Sequence, residues 1–316
     1  APAGSENIKG CHRGNTTKTE VMKELGYLIR EIGVKYVYGE EDKLIIGITA
    51  DSREVKPGWL FVAVRGTKSD GHAFIGKAAE AGAAAIICEK LPLTINEGST
   101  MIVVEDSAAA TGLAASAFYD HPSRKLRLTG VTGTNGKTTI ATLLYNMFDA
   151  LGYKCGLLST VCNYVFRTRR DATHTTPDPV KINSMLAEMV EEGCEYAFME
   201  VSSHAVDQKR IAGLHFAGGV FTNLTHDHLD YHLTFDNYLA AKKKFFDGLS
   251  PEAFSLVNAD DRNGSVMVQN CKASKQTFSM RAIADFRCNI IEQGFEGMLL
   301  KINGTEVWTH FIGDYN

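Results

Sequence analysis

A polar stretch rich in glycine, residues 130–139, has the composition of a phosphate-binding loop. It runs Gly-Val-Thr-Gly-Thr-Asn-Gly-Lys-Thr-Thr, so Lys137 and Thr138 directly follow its last glycine. In such loops backbone N–H groups surround phosphate oxygens, the lysine neutralises the outer phosphates, and the next hydroxyl reaches a magnesium ion. The spacing departs from G-x-x-x-x-G-K-[ST], because Val131 stands where the first glycine is usual. We interpret the stretch as a nucleotide site, against the alternative of a glycine-rich turn that binds nothing.

Two later stretches carry side chains suited to holding magnesium beside this loop. Glu200 stands near the end of a predicted buried strand, 196–201, and a carboxylate at that end of a parallel sheet is where a metal ligand belongs. A glutamate on a sheet edge is the alternative, but burial without a partner is costly. Residues 226–232 contain three histidines and two aspartates. No cysteine or H-E-x-x-H pattern supports zinc there, so one histidine and a water-bridged aspartate on magnesium fit better.

Alternating strands and helices are predicted to position these residues. An apolar strand, 126–131, leads into the loop, and a helical pattern leads out of it at Ile140, Leu143, Leu144, Met147 and Phe148. More strands are predicted at 155–159, 196–201, 219–223 and 254–258. The preceding chain has predicted strands at 44–49, 59–64, 84–88 and 101–104, and helices from 21, at 72–81 and at 107–118. The predicted fold class is α/β, with a small N-terminal α/β domain before an ATP-binding domain built on a mostly parallel sheet.

Several polar features allow both a structural and a functional interpretation. Thr175 and Thr176 are predicted to cap a helix at 180–192, and a helix start also binds anions. The lysine run 242–244 lies on a predicted helix whose apolar face brings part of the run near the core boundary, although such runs usually face solvent. Gln208 and Arg210 either meet a substrate anion or face solvent. The loop 65–71 is either a solvated connector or a ligand loop.

Composition limits the possible classes of protein. A chain of 316 residues with 44% hydrophobic and 22% charged residues is typical of a soluble protein of about two domains. A formal net charge of −4 gives no general attraction for nucleic acid. The seven cysteines form no C-x-x-C pair, so neither a disulfide framework nor a zinc site is predicted. No run spans a bilayer and residues 1–20 lack the apolar core of a signal peptide, so we expect a cytoplasmic protein without a membrane partner.

Taken together, the motifs resemble those of the Mur ligase family, and of its MurE type in particular. The family motifs are the glycine-rich loop 133–139, Glu-Val-Ser-Ser-His at 200–204 and Asp-His-Leu-Asp-Tyr-His at 227–232. The MurE-like ones are Asp-Ser-Arg at 51–53, Pro-Gly at 57–58, Asp-Gly-His at 70–72, Thr-Thr-Pro at 175–177 and Tyr-Leu-Ala-Ala-Lys at 238–242. The resemblance extends from about Ile45 to the end of the chain.

The resemblance implies a ligase that uses ATP and Mg²⁺ to add a third amino acid, diaminopimelate or lysine, to UDP-MurNAc-L-Ala-D-Glu in peptidoglycan synthesis. It places the ATP phosphates on Gly133, Thr134, Asn135, Gly136, Lys137, Thr138 and Thr139. It implies uridine contacts from Ser52, Gly66, Thr67, Lys68 and Ser69, and muramoyl-dipeptide contacts from Thr175, Thr176, Ser202, Gln208 and Arg210. The implied magnesium ligands are Thr138, Glu200, His228 and, once carbamylated, Lys242; the implied catalytic residues are Lys137, Glu200, His228 and Lys242.

The implied domains are a flexible lead (1–21), a UDP-binding N-terminal domain (22–122) and a central ATP-binding domain (123–316). The family's C-terminal amino-acid-binding domain has no counterpart in the sequence, so we expect little ligase activity from this chain alone. Two alternatives stay open. One is a MurF-type or folylpolyglutamate synthetase-like ligase, which would share the phosphate loop. The other is a nucleotide-binding module without enzymatic activity, which the predicted metal ligands disfavour.

Overall fold

The computed structural model of the chain describes residues 21–66, 69–94, 97–172, 174–225, 227 and 229–311. Two large sheets dominate it, and most of their neighbouring strands are parallel. This arrangement confirms the predicted α/β fold class. The predicted lead, 1–21, falls outside the described residues except for Val21, and the domain division at residue 122 remains a prediction.

The N-terminal sheet has five strands in the order β2-β7-β6-β5-β4. Four of them are parallel and β2 pairs antiparallel with β7. A separate two-residue pairing joins β1 to β3. The strands are β1 (Lys23–Glu24), β2 (Val34–Tyr38), β3 (Leu44–Ile45), β4 (Gly47–Thr49), β5 (Trp59–Val62), β6 (Ala85–Cys88) and β7 (Thr100–Val104). In the described part of this region, three α-helices accompany them: α1 (Leu25–Leu28), α2 (Ile75–Glu80) and α3 (Ser107–Phe118).

The central sheet has eleven strands in the order β11-β10-β9-β12-β8-β13-β14-β15-β16-β17-β18. Its parallel middle runs from β9 to β16, and antiparallel hairpins extend both ends. The strands are β8 (Arg127–Thr132), β9 (Cys155–Leu158), β10 (Cys162–Val165), β11 (Thr168–Asp171), β12 (Tyr196–Glu200), β13 (Gly218–Phe221), β14 (Phe254–Asn258), β15 (Ser274–Ser279), β16 (Phe286–Gly294), β17 (Gly297–Ile302) and β18 (Thr305–Thr309).

Six α-helices accompany this sheet among the described residues: α4 (Lys137–Ala150), α5 (Pro179–Glu191), α6 (Ser203–Asp207), α7 (Leu229–His232), α8 (Phe235–Asp247) and α9 (Gly264–Met267). Strand β8 lies between β12 and β13, so the chain crosses to the other side of β8 after β12. In open α/β sheets, ligands bind at such a reversal, outside the carboxyl ends of the strands. The carboxyl end of β8 is therefore where a site is expected.

Several predicted elements differ in detail from those observed. The predicted strand 44–49 is divided at Ile46 into β3 and β4, which belong to different sheets. The helix predicted from residue 21 is only one turn, α1, and β2 was not predicted because its exposed tyrosines hide the alternation of a sheet strand. Helix α5 is capped by Asp178, whose carboxylate accepts from the N–H of Lys181 (2.9 Å). The predicted cap by Thr175 and Thr176 is therefore wrong.

Helix α3, beside the N-terminal sheet, contacts the part of the chain built on the central sheet at residues 211–213, where the two backbones pack directly against each other. A Cβ atom on Gly112 would lie 2.9 Å from the carbonyl carbon of Ala212 and 3.0 Å from its Cβ. We expect Gly112→Ala to lower the free energy of unfolding by about 1–3 kcal/mol, because neither backbone has room to move. Urea denaturation measures this effect.

Gly76→Ala in α2 is the matched control, since nothing lies within 4 Å of a Cβ atom there. Removing a helical glycine at an open position is expected to raise the free energy of unfolding by about 0.5–1 kcal/mol. Equal stability of the two variants would contradict the packing argument.

Candidate functional site

The glycine-rich loop connects β8 to α4 at the centre of the sheet. Gly133 and Gly136 have φ values of +153° and +82°, which residues with a Cβ atom rarely adopt. The loop is held by the segment after β13: the N–H of Thr134 donates to the Asn223 carbonyl (2.9 Å), and the N–H of Asn135 donates to the Asn223 side chain (3.0 Å). Strand, loop and helix therefore follow in the order that phosphate binding requires.

Lys137 folds back over this loop. Its Nζ donates to the carbonyl oxygens of Gly133 (3.0 Å) and Thr134 (2.8 Å). Burial lowers the pKa of Lys137, while the charges of Glu200 and Asp227 act in the opposite direction. An ammonium group that donates to two carbonyl oxygens can exchange them for phosphate oxygens, which bind a cation more strongly.

Lys242 on α8 is buried against the same loop. It is 1% exposed, its Nζ donates to the Gly133 carbonyl (2.8 Å) and lies 4.8 Å from the centre of the Tyr238 ring. Burial, followed by the charge of Lys137, holds the pKa of Lys242 well below its ordinary value. The ammonium group therefore loses its proton more readily than an exposed lysine, and the neutral amine is the form that reacts with carbon dioxide.

The other two lysines of the run have ordinary surroundings. Lys243 pairs with Asp247 one turn further along α8 (2.6 Å), and the side chain of Lys244 is 64% exposed. A solvated face was predicted for two of the three lysines; Lys244 faces solvent, whereas the side chain of Lys243 is only 15% exposed and Lys242 is buried.

Glu200 ends β12 and is completely buried. Its carboxylate accepts from the N–H of Thr160 (2.7 Å) and from the Thr160 hydroxyl (3.1 Å). These bonds use about two of the four acceptor positions of a carboxylate. Burial of this glutamate was predicted to require a partner; the sequence did not identify Thr160, which becomes adjacent only because β9 pairs with β12.

A hydrogen-bond network joins Glu200 to the predicted muramoyl-dipeptide residues. The Thr176 hydroxyl donates to the Glu200 carbonyl (2.8 Å) and accepts from the N–H of Ser202 (3.2 Å). The Arg210 guanidinium donates to the Thr176 carbonyl (2.8 Å) and to the Gln208 side chain (2.6 Å). Burial lowers the pKa of Arg210, as expected of a cation held away from water.

These elements enclose a cavity of about 560 Å³. It brings together most of the predicted ATP, metal and dipeptide residues: Thr134, Asn135, Gly136, Lys137, Thr138, Thr139, Thr175, Thr176, Glu200, Ser202, Arg210 and Lys242. Ser203 and His204 also line it; they belong to a family motif of the sequence, but no role was predicted for them. Thr160 and His174 line it too, and no role was predicted for them either. Gly133 and Gln208 contribute through their bonds to Lys242 and Arg210.

The histidine-rich stretch is only partly described. His228, the predicted magnesium ligand, lies outside the described residues. His232 is buried, and its Nε2 lies 3.0 Å from the hydroxyl of Ser203, a residue that lines the cavity. Within the described ranges no three His, Cys, Asp or Glu side chains form a metal-binding group. His228 as a ligand remains a prediction.

A second cavity, of about 930 Å³, lies at the N-terminal sheet. The predicted uridine residues Ser52, Gly66 and Ser69 line it, while Thr67 and Lys68 lie outside the described residues. Asp178 and Lys181, at the start of α5, form part of another wall. Sequence reasoning did not foresee this contribution, because it depends on how α5 packs on the N-terminal sheet's helices.

A third cavity, of about 880 Å³, lies on the other side of the glycine-rich loop. Asn135, Gly136 and Thr139 line it together with residues from the ends of β13, β14 and β15, among them Asn223, Asn258, Asp260 and Arg281. The sequence did not single out these later residues. A strand end followed by Asn or Asp, as at Asn258 and Asp260, is the signal that could have identified them.

Two family models match the chain: the Mur ligase middle domain over residues 131–316, and the catalytic domain of the Mur ligase family over residues 44–119. UDP-N-acetylmuramoyl-L-alanyl-D-glutamate–2,6-diaminopimelate ligases from Phocaeicola vulgatus and Parabacteroides distasonis are 57% and 58% identical over 293 residues. That alignment covers 93% of this chain but only 60% of each relative, so the chain spans well under two thirds of their length.

Solved structures share the fold. A UDP-N-acetylmuramoyl-L-alanyl-D-glutamate–2,6-diaminopimelate ligase superposes with a TM-score of 0.78 at 24% identity, covering 93% of this chain and 61% of the other. MurF from Acinetobacter baumannii superposes with a TM-score of 0.60 at 21% identity, covering 86% and 57%. In the described part of this chain, no helix has both the length and the apolar character needed to cross a bilayer.

Proposed function

The chain belongs to the Mur ligase family, and we propose that it serves ATP-dependent addition of diaminopimelate to UDP-MurNAc-L-Ala-D-Glu in cytoplasmic peptidoglycan synthesis. The observation that carries the proposal is the cavity in which Lys137, Glu200 and the Thr176–Arg210 network meet. A nucleotide phosphate and an acceptor carboxylate can be brought together there. The relatives at 57–58% identity act, by their names, on this dipeptide and on diaminopimelate.

In this proposal ATP lies along the glycine-rich loop. Its phosphates would contact Gly133 to Thr139, and its nucleoside would occupy the third cavity, which shares Asn135, Gly136 and Thr139 with the loop. Lys137 would exchange its bonds to the loop carbonyls for bonds to the outer phosphates. This arrangement leaves the terminal phosphate facing Glu200 and Arg210, where the acceptor would arrive.

The described residues fit a magnesium ion. Carboxylate and hydroxyl oxygens are the ligands that Mg²⁺ prefers, and the buried Glu200 carboxylate retains acceptor positions beyond its two bonds from Thr160. Thr138, Glu200 and His228 would hold one ion, and Lys242, once carbamylated, would hold a second. Bound there, magnesium neutralises charge on the transferring phosphate.

The chain's residues would orient the acceptor for two chemical steps. Arg210 and Thr176 would place the side-chain carboxylate of D-Glu in line with the γ-phosphate, so that a carboxylate oxygen bonds to phosphorus as the bond to ADP breaks. The incoming amine then attacks the acyl carbon, phosphate leaves with the C–O electron pair, and the nitrogen loses its proton. The uridine end would occupy the second cavity, beside Ser52, Gly66, Ser69 and the undescribed Thr67 and Lys68.

Calorimetric titration of the chain with UDP-MurNAc-L-Ala-D-Glu tests the proposal. We expect saturable binding by the wild type. Arg210→Ala should weaken it about tenfold, because the anionic ligand would lose its hydrogen bond from a partly buried guanidinium. Arg167→Ala is the control: Arg167 also pairs with a carboxylate, that of Asp149, but it lies outside the cavity. Equal loss in both variants would speak against a role for Arg210 in the site.

The same titration separates the alternatives. A chain that binds ATP but not this dipeptide, and binds a different Mur substrate or a folate instead, would belong to another ligase of the family type. A chain that binds ATP alone would be a nucleotide-binding module. The proposal includes neither a nucleic-acid nor a membrane partner.

A further inference from the structure

One wall of the second cavity is held in place by a connected network of hydrogen bonds and ion pairs. Arg65 and Asp70 face each other in an antiparallel bridge, and the N–H of Gly66 donates to the Ser69 carbonyl (3.0 Å). Gly66 and Ser69 line the cavity. The geometry of this wall therefore depends on what fixes Arg65 and Asp70.

His72 and Glu89 fix both of them. The His72 ring contacts the Asp70 carboxylate through Nδ1 (2.6 Å), and its Nε2 accepts from the N–H of Glu89 (2.8 Å). The Glu89 carboxylate in turn lies 3.2 Å from Nε of Arg65. Its other oxygen accepts from the N–H (3.1 Å) and hydroxyl (3.0 Å) of Ser107, the first residue of α3.

The contacts determine which nitrogen of His72 carries the proton. A backbone N–H can only donate, so Nε2 must present its lone pair to Glu89. A neutral ring then carries its proton on Nδ1 and donates it to Asp70. The hydrogen bonds from the His72 N–H and ring hold the pKa of Asp70 below its usual range, so that the acceptor is a carboxylate.

We propose that His72 is a positioning residue for the uridine end of the substrate: a neutral, Nδ1-protonated ring that ties the cavity wall at Gly66 and Ser69 to the end of β6 and the start of α3. The inference rests on the proposed function, because it assigns the second cavity to the uridine nucleotide. His72 is not among the residues that line the cavity, so it acts through Asp70 and Glu89.

Removing the ring would release both ends of this arrangement. In a His72→Ala variant, Asp70 loses its ring donor and the N–H of Glu89 loses its acceptor. The wall then samples other conformations, and the nucleotide must order it on binding. The charged groups around the ring, Asp70, Glu89 and Arg65, would also pair differently.

The test is a calorimetric comparison of wild type, His72→Ala, His72→Gln and His121→Ala, each titrated with UDP-MurNAc-L-Ala-D-Glu and separately with ATP. We expect His72→Ala to bind the uridine ligand about tenfold more weakly and ATP unchanged. His72→Gln is expected to recover part of the loss, because its amide oxygen can accept from Glu89. His121→Ala is the matched control: its ring contacts Tyr27 and Ser116, and none of these three residues lines the second cavity.

Nitrogen-15 NMR of the wild-type His72 ring provides a readout without ligand. We expect the neutral Nδ1-protonated tautomer; an Nε2-protonated ring would overturn the inference. So would equal uridine-ligand affinity in His72→Ala and wild type, or an equal loss in His121→Ala. Failure of the wild type to bind the uridine ligand would instead overturn the proposed function. If His72→Ala does not fold, the uridine-ligand affinity of His72→Gln and the tautomer of the wild-type ring test the inference instead.

Discussion

Replacing Lys137 with alanine is expected to weaken ATP binding by about a hundredfold, the largest change in nucleotide affinity that we predict. The Lys137 ammonium lies on the glycine-rich loop and donates to two of its carbonyl oxygens. Its replacement removes charge-assisted hydrogen bonds to the phosphates, each of which contributes about 1.5–3 kcal/mol. Titration with ATP in the presence of magnesium measures the loss.

Lys43→Ala is a close control for this variant. Lys43 also donates to two carbonyl oxygens, those of Ala84 (3.3 Å) and Gly98 (3.0 Å), but at the N-terminal sheet. Its removal should leave ATP affinity unchanged. An ATP affinity of Lys137→Ala within a factor of about three of wild type would exclude bonds from Lys137 to the phosphates, since RT ln 3 is below the smallest charge-assisted bond.

Features determined by neighbouring residues could be predicted from the sequence. The order of strand, glycine-rich turn and helix around Lys137 is local, and so are the boundaries of Ser107–Phe118 and Phe254–Asn258, which were predicted to the residue. Both segments have clear ends: Asp106 caps the helix, and turns lie before and after the strand. The composition of these segments and the signals at their ends were sufficient to place both.

Features that depend on strand order could not be predicted. Thr160 meets Glu200 only because β9 lies beside β12, and residues near Asn258 reach the glycine-rich loop only because β14 lies two strands from β8. The division at Ile46 has the same origin: the segments on either side pair with different strands. The site's chemistry was therefore visible in the sequence, while several of its partners were not.

Replacing Lys242 with methionine is expected to separate stability from function. Methionine fills a similar volume without an amine. The folded chain then no longer bears the cost of burying an ammonium group, the same desolvation that lowers the pKa of Lys242. We expect the free energy of unfolding at neutral pH to rise by about 1 kcal/mol. In any form of the protein that catalyses the ligase reaction, we expect Lys242→Met to lower turnover by at least about a hundredfold. Methionine cannot form the carbamate that would complete the second metal site.

The stability gain should depend on pH with a defined sign. Since the pKa of Lys242 in the folded chain is lowered from 10.5, the unfolded chain binds more protons between the folded pKa and 10.5. Wild-type stability therefore rises with pH across that window, whereas the methionine variant lacks this contribution. The advantage of Lys242→Met is thus largest below the folded pKa and shrinks as the pH approaches 10.5.

Two measurements examine the two halves of this prediction. Urea denaturation across pH gives the stability difference, and carbon-13 NMR in labelled bicarbonate detects the carbamate carbonyl in wild type. Lys244→Met is the control, because its side chain is 64% exposed: it should keep both the wild-type stability and the carbamate signal. A carbamate signal that survives in Lys242→Met would place the modification elsewhere, and a methionine variant less stable than wild type would show that the buried amine's bond to Gly133 outweighs its desolvation.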